Sequence, residues 1–286
     1  MSTEYSTPAR QALQRFLDNR SAALSGAVLA ALVIMALGAP LIAKTDYNDQ
    51  VFLEQAFSFP SQQHWFGVDP LGRDFYSRVV YGARVSIGVG LVSAAFSLAI
   101  GLPLGALAGF WGGRIDWVIM RLVELFSVVP PLLIAIVLAS LLGGGTLNVI
   151  LISSGFLWVS TCRLVRGQIM ANKSREYIDA ARVLGASDSY LLRRHLIPNS
   201  ISPIIVGFVL AIPQAMMIEA SLSFLGVGIS APVPSWGQMI NEGLEYLFFY
   251  WHLGIFPTLF LAITVLATTL FGDGLRDAID PTLKGQ

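Results

Sequence analysis

Residues 85–113 read VSIGVGLVSAAFSLAIGLPLGALAGFWGG, without one charged side chain. Wound as an α-helix, this run extends about 43 Å at 1.5 Å per residue, more than the roughly 30 Å of hydrocarbon in a bilayer. It reads as a membrane span. Outward from it, further charge-free stretches cover 21–43, 125–162, 195–218, 220–241 and 246–272. The stretch 125–162 is long enough to cross twice, with Gly143-Gly144-Gly145 as the break. Asn199, Pro203, Pro232 and Pro234 make the flanks of 195–241 polar or irregular, so that region holds one crossing. The pattern predicts six helices at about 22–43, 84–110, 118–142, 146–166, 201–226 and 250–272, an all-α integral membrane protein.

Composition agrees. Of 286 residues, 55% are hydrophobic and 13% charged, against roughly 25% charged in soluble domains. Such a chain cannot cover the surface of a soluble globule. Eighteen basic residues balance 18 acidic ones, which excludes the basic footprint of a nucleic-acid binder. His64, His195 and His252 are too scattered for a metal site, and the lone Cys162 cannot form an intrachain disulfide. Residues 38–45, GAPLIAKT, fall short of a phosphate-binding loop because Ala43 stands where the backbone must curl at a second glycine. The signatures of common hydrolases, zinc proteases and dithiol redox enzymes do not occur. The sequence shows no equipment for ATP hydrolysis or covalent catalysis.

Basic residues orient the spans. With the N-terminus inside, the inner segments hold 14 of the 18: Arg10, Arg15, Arg20, Arg114, Arg121, Arg163, Arg166, Lys173, Arg175, Arg182, Arg193, Arg194, Arg276 and Lys284. Lys44, Arg73, Arg78 and Arg84 fall outside. Both termini are thus expected in the cytoplasm. The apolar run at 21–43 exceeds the core of a signal peptide and reads as a retained first helix. Residues 1–21 then form a cytoplasmic segment and 22–286 the membrane domain, with an outer loop at 44–83 and an inner loop at 167–200.

Inside the membrane, Ser93, Ser97, Gly101, Gly105 and Gly109 recur every four residues and form a narrow face for close helix approach. Pro130-Pro131 should bend the third helix. Glu219, beside Met216 and Met217, is costly in a membrane unless it faces water or protein. Two readings stay open for it: a place on a solute path together with Pro130 and Met216, or the satisfaction of a neighbouring helix.

The inner loop includes SREYIDAARVLGASDSYLLRRHLIP at 174–198. Glu176 to Leu184 is a good helix former, with Ser174 as its N-cap and Gly185 as its end. Ser187 or Asp188 caps a second helix that Pro198 terminates. The loop reads either as an ordinary basic inner loop or as a two-helix projection for a groove on another protein.

The spacing Asp179-Ala180-Ala181, three residues, Gly185, nine residues, His195-Leu196-Ile197-Pro198 resembles the EAA signature of ABC importer permeases, Glu-Ala-Ala-x3-Gly-x9-Ile-x-Leu-Pro. Asp179, His195 and Ile197 depart from it. The segment His64 to Asp74, with Ser77-Arg78 and Gly82-Ala83-Arg84, is similar to the opening signature of the dipeptide/oligopeptide/nickel permease subfamily. Ser223-Phe224-Leu225-Gly226, Trp236-Gly237, the run Gly272 to Asp277 and Asp280-Pro281 continue the match in order. Taken singly, Gly67 and Gly72 also suit turns, and Asp69 and Asp74 also suit local pairing with Arg73 or Arg78.

The resemblance implies a C-type subunit with the type I ABC importer permease fold, multi-pass in a bacterial inner membrane. It implies coupling to an ATPase through Glu176, Asp179, Ala180, Ala181, Gly185 and Pro198, and an outer-loop signature of Gly67, Asp69, Gly72, Arg73 and Asp74. The implied partners are membrane lipid, a homologous B-type permease, two ATPases that bind ATP and Mg, and a periplasmic or lipid-anchored solute-binding protein. The implied solutes are di- and oligopeptides, with nickel or metal chelates, glutathione and opines as alternatives. The implied mechanism is ATP-driven alternating access. A membrane scaffold without transport and a membrane-embedded enzyme stay open as remote alternatives.

Overall fold

A computed structural model describes residues 8–279. Residues 1–7, Asp280-Pro281 and Lys284 lie outside the described residues. The described residues fold into twelve α-helices: α1 (Pro8–Asp18), α2 (Arg20–Leu37), α3 (Ala39–Ile42), α4 (Phe75–Trp111), α5 (Gly113–Val128), α6 (Pro131–Leu142), α7 (Thr146–Lys173), α8 (Glu176–Val183), α9 (Asp188–Tyr190), α10 (Ile197–Phe224), α11 (Trp236–Leu244) and α12 (His252–Ile279). No strand is present among the described residues, only an isolated bridge between Val68 and Asp74. Among the described residues, five helical stretches are long and apolar enough to cross a membrane, and α5 with α6 makes a sixth as a broken span.

The break is sharper than a bent helix. The expected continuous span 118–142 is two helices turned by 84°, because Pro130 and Pro131 remove two backbone donors at one place and their rings clash with the preceding turn. The second span also exceeds its expected bounds. It begins at Phe75, where the Asp74 carboxylate accepts the Ser77 N–H at 2.8 Å and closes the first turn. The fourth span runs on to Lys173 and the last to Ile279, while the first spans 20–37 and gives way to α3 at Gly38.

Small residues set the central packing. The expected stripe on α4 lies against α7, where Ser97 Oγ and Thr161 Oγ1 hydrogen-bond at 2.9 Å. A Cβ on Gly101 would lie 2.7 Å from Thr161 Cβ, one on Gly105 2.5 Å from the Cys162 carbonyl oxygen, and one on Gly109 2.8 Å from that of Arg166. Contacts advance in the same direction along both chains, so α4 and α7 run parallel with their backbones nearly touching. This is the close approach that replaces hydrophobic driving force inside a bilayer. Around the pair, α10 packs on both helices, α12 on α10, and α2 on α4 and α12.

Candidate functional site

The residues 174–198 form two helical pieces joined by a tight reversal. Ser174 does not cap α8: its hydroxyl donates back to the Ala171 carbonyl at 3.1 Å, and Arg175 takes the extended N-cap position. Glu176 and Asp179 stand in the first turn of α8, where the helix dipole favours carboxylates. Ile178 is fully buried among Phe110, Val165, Ile169, Leu191, Leu196 and Ile204, and pins α8 to the inner end of the bundle.

The end of α8 is a Schellman motif. The Ala186 N–H reaches the Ala181 carbonyl at 3.1 Å and the Gly185 N–H the Arg182 carbonyl at 2.9 Å. Gly185 has φ +86°, the left-handed region that glycine enters without a steric penalty. Ser187 then accepts the Tyr190 N–H at 3.3 Å and starts the second piece.

That piece does not stop at Pro198. Residues 191–196 wind as a π-helix, with the Ile197 N–H reaching back to Leu192, and the chain passes into α10 without a break. The wider turn makes room for the proline ring and its missing donor. The loop's second helix is therefore the inner end of a membrane span. At its tip, Val183 and Leu184 are 88% and 87% exposed. Glu176, Asp179, Ala180 and Pro198 are exposed as well.

The outer-loop residues converge on the start of α4. Asp69 accepts the Leu71 and Arg73 N–H groups at 2.9 Å each and pairs with the Arg73 guanidinium at 2.6 Å. Gly67 and Gly72 take φ of +84° and +73° around this turn. Asp74 caps α4 and faces His64 Nδ1 at 3.4 Å. Arg78, fully buried, donates to Glu242 on α11 at 3.0 Å. The motif thus forms a buried buttress under the second span.

Met216 and Glu219 face the interior. Glu219 is 0% exposed. It accepts the Ser223 hydroxyl at 2.8 Å and the Ser86 hydroxyl at 3.1 Å. Those serines in turn accept the N–H groups of Ile229 and Trp236 at 3.0 and 3.1 Å. Pro130 is exposed.

The opposite face of α10 lines a groove formed of a succession of three cavities. At the inner end lies a cavity of about 820 Å³ that includes Asn199, Pro203, Val206 and Leu210. The next, of about 710 Å³, shares Leu210 and adds Gln214, Met217 and, across the groove, Pro131 of α6, Ser160 of α7 and Thr269 of α12. A third, at the outer end, continues over Ser221 and Leu225. Gln214 and Ser221 carry no expectation from the sequence, and Met217 enters it only as a neighbour of Glu219. Their spacing of three to four residues is the signal that was available for one helix face.

The helices pack around a broken span, with a loop projecting from one end of the bundle. The model of the binding-protein-dependent transport system inner membrane component matches residues 101–285, and that of the N-terminal membrane domain of oligopeptide transport permease C matches 7–60. The chain belongs to this family of transport permeases. It is 40% identical to the oligopeptide transport system permease protein OppC of Bacillus subtilis, over 96% of this chain and 90% of that protein. The glutathione transport system permease protein GsiD of Pectobacterium atrosepticum is 40% identical over 97% and 92%, and the dipeptide transport system permease protein DppC of Bacillus subtilis 40% over 96% and 86%.

Chains from inward-facing structures of the MetNI methionine ABC transporter share the fold. Their TM-scores are 0.57 and 0.61 at 18% identity, covering 71% and 72% of this permease and 96% and 98% of theirs. The permease is a multi-pass protein of the bacterial inner membrane.

Proposed function

We propose that this permease moves di- and oligopeptides inward as one half of a paired pore, with a homologous B-type permease as the other half. A periplasmic or lipid-anchored binding protein delivers the solute outside, and two ATPases that bind ATP and Mg sit inside. The solute class is supported by the oligopeptide, dipeptide and glutathione permeases at 40% identity, since glutathione is itself a peptide.

The mechanism follows from how the loop is built. Val183 and Leu184 place two nearly bare apolar side chains at the tip, an arrangement that costs free energy in water and gains it in a protein cleft. The loop then serves as the coupling element, with Glu176, Asp179, Ala180, Ala181, Gly185 and Pro198 in it. Closure of the ATPases on ATP pushes the tip, and the continuous helix from Asp188 through α10 carries that motion to the groove. The groove face of Gln214, Met217 and Ser221 lines the path, while Glu219 holds α10 to the outer segment.

The exposed tip carries this reading. The test is ATP-dependent uptake of labelled di- and tripeptides into proteoliposomes holding both permeases and both ATPases, with binding protein added outside. Uptake that needs ATP and the binding protein supports the reading. A complex that assembles, hydrolyses ATP and takes up no peptide contradicts it.

A further inference from the structure

At the inner end of the groove, two arginines from separate parts of the chain line one cavity. Arg175 lies between α7 and α8, and Arg276 on the last turn of α12. The cavity lining also holds Gln168, Asn199 and Ser202, and no carboxylate among the described residues. Neither arginine has an ion-pair partner among the described residues; Arg84, Arg114, Arg193 and Arg194 have none either, but none of those four lines this cavity. Two guanidinium groups left open beside the same polar hollow form a receptor for an anion, and the planar fork of arginine matches a carboxylate in particular.

We propose that Arg175 and Arg276 form a binding site for the terminal carboxylate of the transported solute at the inner mouth of the path. The proposal rests on the peptide reading above. Leu210 is shared between this cavity and the middle of the groove, so a solute descending along α10 enters it directly. The cavity floor is the coupling loop itself. Tyr177 of α8 lines it and accepts a hydrogen bond from Asn199 of α10 at 2.9 Å. A carboxylate held there lies against the element that the ATPases move, and outward resetting of the loop withdraws Arg175 and releases the solute. A phospholipid headgroup offers comparable anionic chemistry, and the experiment separates the two sources.

The experiment compares uptake of trialanine and trialanine amide by the reconstituted complex, with binding protein saturated by each peptide. Unsubstituted complex is measured beside Arg175→Gln/Arg276→Gln and Arg276→Lys, in liposomes with and without phosphatidylglycerol. The expected result is a ratio of free acid to amide that falls about tenfold in the double variant, the worth of one charge-assisted hydrogen bond. Arg276→Lys should keep part of that ratio, and it carries the test by itself if the double variant does not assemble.

An unchanged ratio, or an equal slowing of both peptides, overturns the proposal. So does uptake that rises with phosphatidylglycerol equally for both peptides in the unsubstituted complex and not in the variants, which assigns the site to lipid. Failure of the unsubstituted complex to take up either peptide overturns the peptide reading, and this site with it.

Discussion

Ser86 donates its hydroxyl to Glu219 at 3.1 Å and accepts the Trp236 N–H at the same distance, so one carboxylate fixes α4, α10 and α11 together. A carboxylate is acceptor-only, and here its two oxygens each receive a serine hydroxyl. Glu219→Gln puts an amide donor against one of those hydroxyls. The expected cost is about 1–3 kcal/mol, as for a buried polar group left unmatched. It should appear as a lower Tm of the purified complex, while Gln214→Leu on the groove face leaves Tm in place. A Glu219→Gln complex with normal Tm and altered transport would return this residue to the solute path.

The backbone contact between α4 and α7 makes a second prediction. With a Cβ at Gly105 only 2.5 Å from the Cys162 carbonyl oxygen, Gly105→Val must force the two helices apart. Overpacking of this kind costs about 3 kcal/mol or more when backbone blocks the way. The variant should yield little assembled permease in detergent. Gly155 has nothing within 4 Å of an added Cβ, and Gly155→Ala should accumulate normally. Equal yields would mean that the contact does not hold the bundle.

Orientation is checked by labelling. Leu53 is 60% exposed in the outer loop and Val183 88% exposed at the loop tip, while the native Cys162 is buried. In intact spheroplasts a membrane-impermeant maleimide should modify Leu53→Cys and leave Val183→Cys unmodified until the membrane is opened. The reverse pattern would invert the topology drawn from the 14 inner basic residues.

Much of this architecture is legible in residue order, and the exceptions share a cause. The run 85–113 shows its span and its glycine face because hydropathy and a four-residue spacing are local properties. The stretch from Phe75 to Arg84 does not, since Arg78 and Arg84 look like an aqueous boundary. Besides the Asp74 cap, α4 begins earlier because the buried Arg78 meets Asp69 and Glu242, the latter 164 residues away. Pro198 reads as a stop by local rules, yet a π turn before it carries the helix through. Met216 and Met217 are neighbours of the same type, and the fold buries one and exposes the other. Which face of α10 turns inward is decided by Ser86 on α4, a partner that no window around residue 219 contains.

The central claim is that the reversal at Gly185 presents the tip of the inner loop to an ATPase. Gly185 has φ +86° and open space around an added Cβ, so a substitution there acts through backbone strain alone. A valine costs about 1–2 kcal/mol in the left-handed region and favours a different bend, whereas asparagine tolerates it. The decisive measurement is the amount of ATPase retained by Gly185→Val and Gly185→Asn permease complexes, read beside peptide uptake per ATP hydrolysed. The account predicts that the asparagine variant behaves like the unsubstituted complex, while the valine variant, with its spans still inserted, loses ATPase or hydrolyses ATP without uptake. Normal retention and coupling in the valine variant would contradict it.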